Sequence, residues 1–548
     1  MSQQADEGSS VVESSVVEGS AVESRAVESS VVDEVLGGVL IIDFGAQYCQ
    51  LIARRIRELG VYSRITVPDR AMFTLKHMRP KAIILSGGPC SVYAHDAPAL
   101  DPAILEQGVP VLGICYGLQW LAQHTGGTVL PAKSGSEYGR TELQPIDTAD
   151  LLAGVRQDGI VWMSHGDKVQ ELGPGFEVMA KSEPCPFAVV GDRKRKMFGL
   201  QFHPEVNHTV DGQRILENFV LGIAGCDNDW NPGNLAERKI QAVKDLVGET
   251  GEVVLGLSGG VDSSVAAVLV HRAIGTRLHC VFVDNGLLRQ GEREGVEELF
   301  RDDYHMDLKV VDAADRFLSE LQGITDPEQK RKIIGRIFVE IFEEESKGYK
   351  NANFLGQGTL YPDVIESVAA HGGATSTIKS HHNVGGLPAH MKMKLVEPLR
   401  DLFKDEVRAL GRELGLPSSL VDRQPFPGPG LAVRCLGEVT REKLEPLRQA
   451  DAVVREEIES RDLHKDLWQY FAVYVPQKTV GVKGDARVYQ DVCVVRLVSS
   501  QDAMTADWET LPTDVMRRVS SRILNEVDGF ARVCLDISSK PPGTIEWE

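Results

Sequence analysis

The sequence predicts an α/β protein with two parallel-sheet domains followed by a third, α+β domain. Two observations support this prediction. Short apolar runs such as "GGVLIIDF" and "EVVLGL" alternate with helix-like stretches, which is typical of parallel sheets covered by helices on both faces. After "RQPFPGPG" at 423–430, the chain turns to strand-like runs such as "RVYQDVCVVRLV".

Four segments are expected along the 548 residues. Residues 1–36 repeat a valine, glutamate and serine pattern and are predicted to be a disordered acidic tail. The stretch "GCDNDWNPGN" is rich in Gly, Asn, Asp and Pro, so we place a domain boundary there. The predicted domains are therefore 37–226, 227–424 and 425–548.

Composition excludes several classes of protein. The chain has 59 Lys and Arg against 79 Asp and Glu, a net charge of −20, which argues against a nucleic-acid partner. Its nine cysteines are scattered and show no Cys-x-x-Cys spacing, which favours a reducing compartment. No apolar run approaches the ~20 residues that a membrane span needs. We expect a cytoplasmic protein without a membrane partner.

The stretch "VPVLGICYGLQ" places Cys115 on a turn between a predicted strand and a predicted helix. Flanking glycines permit a sharp turn that exposes a nucleophile, and the helix start favours the thiolate. The later stretch "FHPEV" offers His203 as a base and Glu205 to orient it. A lone cysteine or histidine is usually structural, but this combination favours nucleophilic catalysis.

These residues also carry a family resemblance. The stretches "SGGPCSVY", "GICYGLQ" and "FHPEV", in this order, resemble the type I glutamine amidotransferases. The resemblance implies a Cys115–His203–Glu205 triad that forms a glutamyl thioester and releases ammonia. It also implies an oxyanion hole formed by Gly88 and the backbone amide of Tyr116, where fixed donors stabilise developing charge.

A second motif, "SGGVDSS", follows a buried-strand run and precedes a helix-like stretch. Its glycines and helix start suit a phosphate group, but it lacks the lysine of the common nucleotide loop. It resembles the N-type ATP pyrophosphatases, which have an adenine-nucleotide α-hydrolase-like fold and release pyrophosphate as one unit. The expected ATP-binding residues are Ser258, Gly259, Gly260, Val261, Asp262, Ser263 and Ser264. Asp262 is also the candidate ligand of Mg²⁺.

An ammonia source joined to an adenylating module implies amination of a carbonyl carbon. The stretches "DPEQKRKIIG", "QPFPGPGLAVR" and "KPPGTIEWE" resemble the GMP synthase family. The resemblance implies xanthosine monophosphate (XMP), ATP and glutamine as substrates and a homodimer formed through the C-terminal domain. It assigns XMP binding to Arg331, Lys540 and Glu546, and a lid over the phosphates to Lys379, His381 and His382.

Two other functions share parts of this sequence pattern. A glutamine-dependent NAD synthetase shares the second motif, but that family uses a nitrilase-like glutaminase without the cysteine turn and His-Pro-Glu. A catalytically silent nucleotide-binding regulator is disfavoured because Cys115, His203, Glu205 and the whole loop at 258–264 are intact.

Overall fold

The computed structural model describes residues 36–131, 137–349, 351–369, 393–500 and 505–548. Residues 1–35 of the predicted tail and the lid candidates Lys379, His381 and His382 lie outside these ranges. Within them, none of the helices is long and apolar enough to cross a bilayer.

The first group of elements surrounds an eight-stranded sheet with the order β2-β1-β3-β4-β12-β11-β10-β7. Its strands and the four strands of two small ribbons are β1 (Val39–Ile42), β2 (Ser63–Thr66), β3 (Ala82–Leu85), β4 (Val111–Ile114), β5 (Thr128–Pro131), β6 (Glu137–Glu142), β7 (Gln144–Pro145), β8 (Ile160–His165), β9 (Asp167–Glu171), β10 (Glu177–Lys181), β11 (Val189–Asp192) and β12 (Met197–Leu200). The helices are α1 (Cys49–Glu58), α2 (Ala71–Met78), α3 (Tyr116–His124) and α4 (Gly212–Glu217), with a π-helical turn at Asn218–Ile223.

Strands β2, β1, β3, β4 and β12 are parallel, as predicted, and they are followed by antiparallel β11, β10 and β7. Strands β1, β3, β4 and β12 are buried along their whole length, which explains their continuous apolar sequence. The ribbons pair β5 with β9 and β6 with β8. The turns after β3, β4 and β12 meet at one edge of the sheet, where the carboxyl ends of parallel strands gather.

The second group has a fully parallel sheet with the order β15-β14-β13-β16-β17. Its strands are β13 (Glu252–Leu257), β14 (Leu278–Asp284), β15 (Asp307–Asp312), β16 (Ala352–Gly356) and β17 (Lys394–Val396). Its helices are α5 (Pro232–Val247), α6 (Val261–Ile274), α7 (Glu292–Glu297), α8 (Ala314–Glu320), α9 (Pro327–Ser346), α10 (Tyr361–Ala369), α11 (Lys404–Glu413) and α12 (Ser418–Val421), with a π-helical turn at Glu298–Asp303. Helix α6 is buried along most of its length, because it packs against both the sheet and the helices α5 and α11.

The third group combines two helices with a four-stranded sheet. Its elements are α13 (Arg441–Glu459), α14 (Thr513–Glu526), β18 (Gln469–Lys483), β19 (Ala486–Ser499), β20 (Asp507–Trp508) and β21 (Phe530–Asp536). Strand β19 pairs antiparallel with β18 and β20 and parallel with β21. Two parallel-sheet α/β units and one α+β unit confirm the predicted fold class, with the antiparallel edge of the first sheet as an addition.

Candidate active sites

Cys115 occupies a strained turn between β4 and α3. Its backbone φ is +52°, a left-handed conformation that is rare for residues with a side chain. The glycines beside it allow close packing, because a Cβ at Gly113 would lie 2.6 Å from the carbonyl carbon of Gly117, and one at Gly117 would lie 2.2 Å from the carbonyl oxygen of Leu85. Cys115 thus lies on a sharp turn between a strand and a helix, as the sequence predicted.

The structure brings the three triad candidates together. Nδ1 of His203 lies 2.7 Å from Oε1 of Glu205, and both side chains are buried. Burial disfavours the charged ring, but the charge of Glu205 and hydrogen bonds to Cys115 and Glu205 outweigh it and raise the pKa of His203 to about 10. A charged imidazole beside a thiol stabilises the thiolate, which is the nucleophilic form.

The oxyanion-hole candidates lie at the same edge of the sheet. A Cβ at Gly88 would lie 3.3 Å from Cγ of Tyr116, and one at its neighbour Gly87 would lie 3.1 Å from Cε1 of His203. Tyr116 opens α3 directly after the nucleophile. Gly88 and Tyr116 therefore neighbour each other and Cys115.

The sequence did not single out two residues of this site. Sγ of Cys115 lies 3.5 Å from the carbonyl oxygen of Ser164, at the end of β8. Gln119, on the first turn and a half of α3, donates from Nε2 to the carbonyl oxygen of Asp167 at 3.0 Å. Gln119 is the last residue of the quoted motif "GICYGLQ", so the sequence offered a signal for its place in this site. Ser164 lies in no quoted motif, and only the fold places it beside Cys115.

The loop "SGGVDSS" joins β13 to α6, as predicted. Gly259 adopts a φ of +73°. The hydroxyls of the loop are engaged internally: Oγ of Ser258 and Oγ of Ser263 are 2.9 Å apart, and Oγ of Ser264 donates to the carbonyl oxygen of Gly260 at 2.7 Å. Ser264 is fully buried, so its hydroxyl supports the main chain of the loop from the protein interior.

Beside the loop lies a cavity of about 510 Å³. Of the seven predicted ATP-binding residues, Ser258, Gly260, Val261 and Asp262 line it, whereas Gly259, Ser263 and Ser264 are not part of its lining. Its opposite walls come from β14, with Val281, Phe282 and Val283, and from α9, with Phe338 and Phe342. Apolar walls beside a glycine-rich helix start suit a purine nucleotide with its phosphates at the loop.

Two cationic residues of the cavity were missed by the sequence analysis. Lys404, at the start of α11, lies with Nζ 3.6 Å from Oδ2 of Asp262. Arg423 donates from Nη1 to the carbonyl oxygen of Gly259 and from Nη2 to Oε1 of Glu292. Lys404 brings to the loop a positive charge that the loop itself lacks, from a point 142 residues further along the chain than Asp262.

Asp262 has the chemistry of a magnesium ligand. Burial raises the pKa of its carboxyl, and Lys404 opposes that shift. Oδ1 is buried and has no hydrogen-bond partner among the described residues. Within the same residues, no group of three or more His, Cys, Asp and Glu side chains is arranged to hold a metal. Mg²⁺ that is bound mainly by phosphate oxygens needs only one or two protein carboxylates, so Asp262 fits that role.

Of the three XMP candidates, Lys540 and Glu546 belong to the C-terminal segment, and Arg331 on α9 contacts its last residue. Nη2 of Arg331 donates to the main-chain oxygen of Glu548. Both carboxylate oxygens of Glu546 accept from Arg434, a fully buried residue that the sequence analysis did not select. The main chain of Lys540 pairs with that of Ala506. Lys540 belongs to the same C-terminal segment as Glu546.

Lys330, the neighbour of Arg331, is fully buried and contacts the same C-terminal residue, Glu548. Its Nζ pairs with Oε2 of Glu548 and donates to the carbonyl oxygens of Ala432 and Cys435, at 3.3 and 2.9 Å. The other carboxylate oxygen of Glu548 accepts from the backbone amide of Gly437. These bonds fasten the segment that carries Lys540 and Glu546.

Three family models match the chain. The glutamine amidotransferase class-I model matches residues 40–223, the NAD synthase model residues 235–316, and the GMP synthase C-terminal domain model residues 456–547. The first covers the cysteine turn and His-Pro-Glu, and the second covers the loop at 258–264. Among solved structures, a glutamine amidotransferase from Thermotoga maritima is 21% identical, with 39% of this chain and 84% of that chain covered and a TM-score of 0.28.

Curated relatives match nearly the whole chain. A protein of Phenylobacterium zucineum named GMP synthase [glutamine-hydrolyzing] is 56% identical over 93% of this chain and 98% of its own length. Proteins of the same name from Brachyspira hyodysenteriae and Aquifex aeolicus are each 53% identical over 93% of this chain and 99% of their own. With this identity along almost its full length, the chain belongs to the glutamine-hydrolysing GMP synthase family.

Proposed function

We propose that this chain is a C–N ligase that hydrolyses glutamine to ammonia and uses ATP to aminate XMP to GMP. The observation that carries the proposal is the joining, in one chain, of the Cys115–His203–Glu205 geometry to a purine-sized cavity beside the loop at 258–264. ATP is the co-substrate, and its cleavage to AMP and pyrophosphate drives the amination.

At the first site, the thiolate of Cys115 attacks the side-chain carbonyl carbon of glutamine. The C–N bond breaks, His203 delivers its proton to the departing nitrogen, and ammonia leaves behind a glutamyl thioester that water hydrolyses to glutamate. Glu205 holds the ring of His203 and supports its positive charge. The backbone amides of Gly88 and Tyr116 stabilise the negative oxygen of the tetrahedral intermediates.

At the second site, a carbonyl oxygen of XMP attacks the α-phosphorus of ATP, and pyrophosphate leaves as one unit. The loop at 258–264 and Lys404 hold the departing phosphates. Asp262 would hold Mg²⁺, which would supply charge neutralisation there. Ammonia then displaces AMP from the adenylated intermediate. Arg331, Lys540 and Glu546 are proposed to bind XMP, with Arg331 pairing to its phosphate.

We further propose three domains, at 37–226, 227–424 and 425–548, and a homodimer formed through the third. Support for the dimer comes from its exposed apolar side chains. Val480, Val482 and Tyr489 project from the outer half of the β18–β19 pair with 51, 74 and 60% of their surface exposed. Apolar clusters of this kind on a strand pair mark an interaction surface. Val482→Asp should shift the sedimentation coefficient of a dimer toward that of a monomer.

A cytoplasmic location is proposed because all nine cysteines are free thiols, as a reducing compartment requires.

Product analysis tests the proposed reaction. With XMP, ATP and glutamine, the purified chain should form GMP, AMP, pyrophosphate and glutamate in equal amounts. Cys115→Ala should abolish synthesis from glutamine and keep synthesis from added ammonium, whereas Cys90→Ala, a matched substitution outside the triad, should keep both. ADP as the nucleotide product, or loss of both activities in Cys115→Ala, would contradict the proposal.

A further inference from the structure

A single buried hydroxyl, that of Thr209, closes the loop that carries His203 and Glu205. Oγ1 of Thr209 donates to the carbonyl oxygen of His203 at 2.6 Å and accepts from the backbone N–H of Trp162, on β8, at 3.0 Å. A hydroxyl has one donor and two acceptor positions, so one side chain makes both bonds at once. Because Thr209 is only 5% exposed, its hydroxyl is sheltered from solvent that could replace these bonds.

The hydroxyl lies where two extended segments would otherwise bond directly. Beyond the end of β12, Phe202 forms an antiparallel bridge with Met163. The N–H of His203 then donates to the carbonyl oxygen of Trp162 at 3.0 Å. In a regular antiparallel ladder, the N–H of Trp162 would return this bond to the carbonyl oxygen of His203. The hydroxyl of Thr209 takes the place of that return bond, because it accepts from the first group and donates to the second.

The hydroxyl bridge connects the loop of the triad to the strand that flanks the thiol. On β8, Ser164 lies two residues beyond Trp162 and presents its carbonyl oxygen to Sγ of Cys115 at 3.5 Å. The ring of His203 lies close to the same cysteine, because a Cβ at Gly87 would be 3.1 Å from Cε1 of His203 and 3.8 Å from Cβ of Cys115. The bridge therefore fixes, relative to β8, the main chain from which the imidazole projects.

We propose that Thr209 is a positioning residue for glutamine hydrolysis. Its hydroxyl holds the main chain of His203 at the separation from β8 at which the imidazole meets Cys115. Loss of this bridge should impair proton transfer in the triad more than binding of glutamine, because a displacement of a reacting group by about 1 Å can lower a rate about a hundredfold. The inference rests on the proposed glutaminase activity, which is therefore measured first on the unsubstituted chain.

The experiment compares Thr209→Val with Thr209→Ser in the full chain. Valine has nearly the shape of threonine but lacks the hydroxyl. In Thr209→Val, kcat for glutamine hydrolysis should fall about tenfold or more, while KM for glutamine stays within about threefold of the parent. Serine keeps the hydroxyl, so Thr209→Ser should keep kcat within about threefold. Synthesis from added ammonium, which bypasses the triad, should match the parent in both variants.

Alkylation of Cys115 by iodoacetamide gives a readout that a merely structural role would not change. The thiolate is the form that reacts, and a correctly placed imidazolium stabilises it. The rate is followed as a function of pH by mass spectrometry of the peptide that contains Cys115. The midpoint of this profile should move to higher pH in Thr209→Val and should stay as in the parent in Thr209→Ser.

Thr74→Val is the matched control for the loss of a buried hydroxyl. Thr74, on α2, is 7% exposed, and its Oγ1 lies 3.1 Å from that of Thr66. Helix α2 carries no residue of the triad. Thr74→Val should therefore lower the melting temperature of the chain but leave kcat for glutamine and the alkylation profile unchanged.

Several outcomes would overturn the proposal. They are an unchanged kcat or an unchanged alkylation profile in Thr209→Val, equal impairment in Thr209→Ser or in Thr74→Val, and a parallel fall in synthesis from ammonium. If Thr209→Val does not fold, Thr209→Ala takes its place, because alanine and serine differ at this position only by the hydroxyl oxygen. Absence of glutaminase activity in the unsubstituted chain would instead contradict the proposed function.

Discussion

Arg57 on α1, beside the first sheet, forms a buried ion pair with Glu406 on α11, beside the second sheet. Nη1 of Arg57 lies 2.9 Å from Oε1 of Glu406. The guanidinium also donates to the carbonyl oxygen of Asp401 and lies 4.6 Å from the ring centroids of both Tyr62 and Trp230. Glu406 is on α11, two residues after Lys404 of the ATP cavity. On α1, Arg55 donates to the carbonyl oxygen of Glu205 at 3.0 Å. Helix α1 thus contacts both the main chain of Glu205 and the helix that begins with Lys404.

Arg57→Met should therefore destabilise the contact between the domains. Removal of one member of a buried pair leaves an uncompensated charge and costs about 3–5 kcal/mol. We expect a lower melting temperature and fewer GMP molecules formed per glutamate released. Arg54→Met is the matched control, since Arg54 is 42% exposed and 3.6 Å from Asp405, and such surface pairs contribute about 0–1 kcal/mol. Equal effects of the two substitutions would contradict the assigned role of Arg57.

Glu205→Gln should change how stability depends on pH. The pKa of His203 is about 10 in the folded chain, against about 6.5 for a free histidine. Proton binding to His203 therefore stabilises the fold fully below about pH 6.5, and this contribution is lost as the pH rises through about 10. Without the Glu205 charge, the pKa of His203 falls. The decrease in unfolding free energy between about pH 6.5 and 9.5 should then be smaller than in the parent, by about 1.4 kcal/mol for each unit by which the pKa of His203 is lowered.

Urea unfolding at the two pH values measures this difference. Glu183→Gln, an exposed glutamate of the same domain, provides the control and should follow the parent. Identical pH dependence in Glu205→Gln and the parent would show that Glu205 does not hold the charge of His203.

Asp262→Asn should suppress the ATP reaction and leave glutamine hydrolysis intact. The substitution removes the carboxylate that fits Mg²⁺, so release of AMP and pyrophosphate should fall about a hundredfold or more. Asp245→Asn, on the exposed side of α5, should have no effect. A normal rate of pyrophosphate release in Asp262→Asn would remove Asp262 from the site.

Lys330→Met should weaken XMP binding, although Lys330 is assigned no direct contact with the nucleotide. Glu548 would lose its buried cation, and the segment that carries Lys540 and Glu546 would lose its anchor. We expect KM for XMP to rise about tenfold, and KM for glutamine to stay as in the parent. Lys332→Met, two residues away and exposed, is the control. An unchanged KM for XMP would contradict this assignment.

The sequence determined the local chemistry of the chain. Gly113 and Gly117 leave room for the close packing around Cys115, and Gly259 adopts a φ of +73°, so both the cysteine turn and the phosphate loop were predicted from short motifs. Alternating apolar runs likewise predicted the parallel sheets. The antiparallel strands β7, β10 and β11 were not predicted, because short strands at a sheet edge have no distinct periodicity.

Only the tertiary structure decided which distant side chains complete the sites. Lys404 resembles any basic residue at a helix start until the fold places it beside Asp262. Arg57 lies in no quoted motif, and Lys330 lies in one without being singled out by it; the roles of both follow from buried partners more than 200 residues away in sequence. Short motifs specify the groups proposed to react, because the turns that hold these groups are formed by neighbouring residues of the chain. The charges that hold these groups in place come from long-range packing, which no short stretch of sequence encodes.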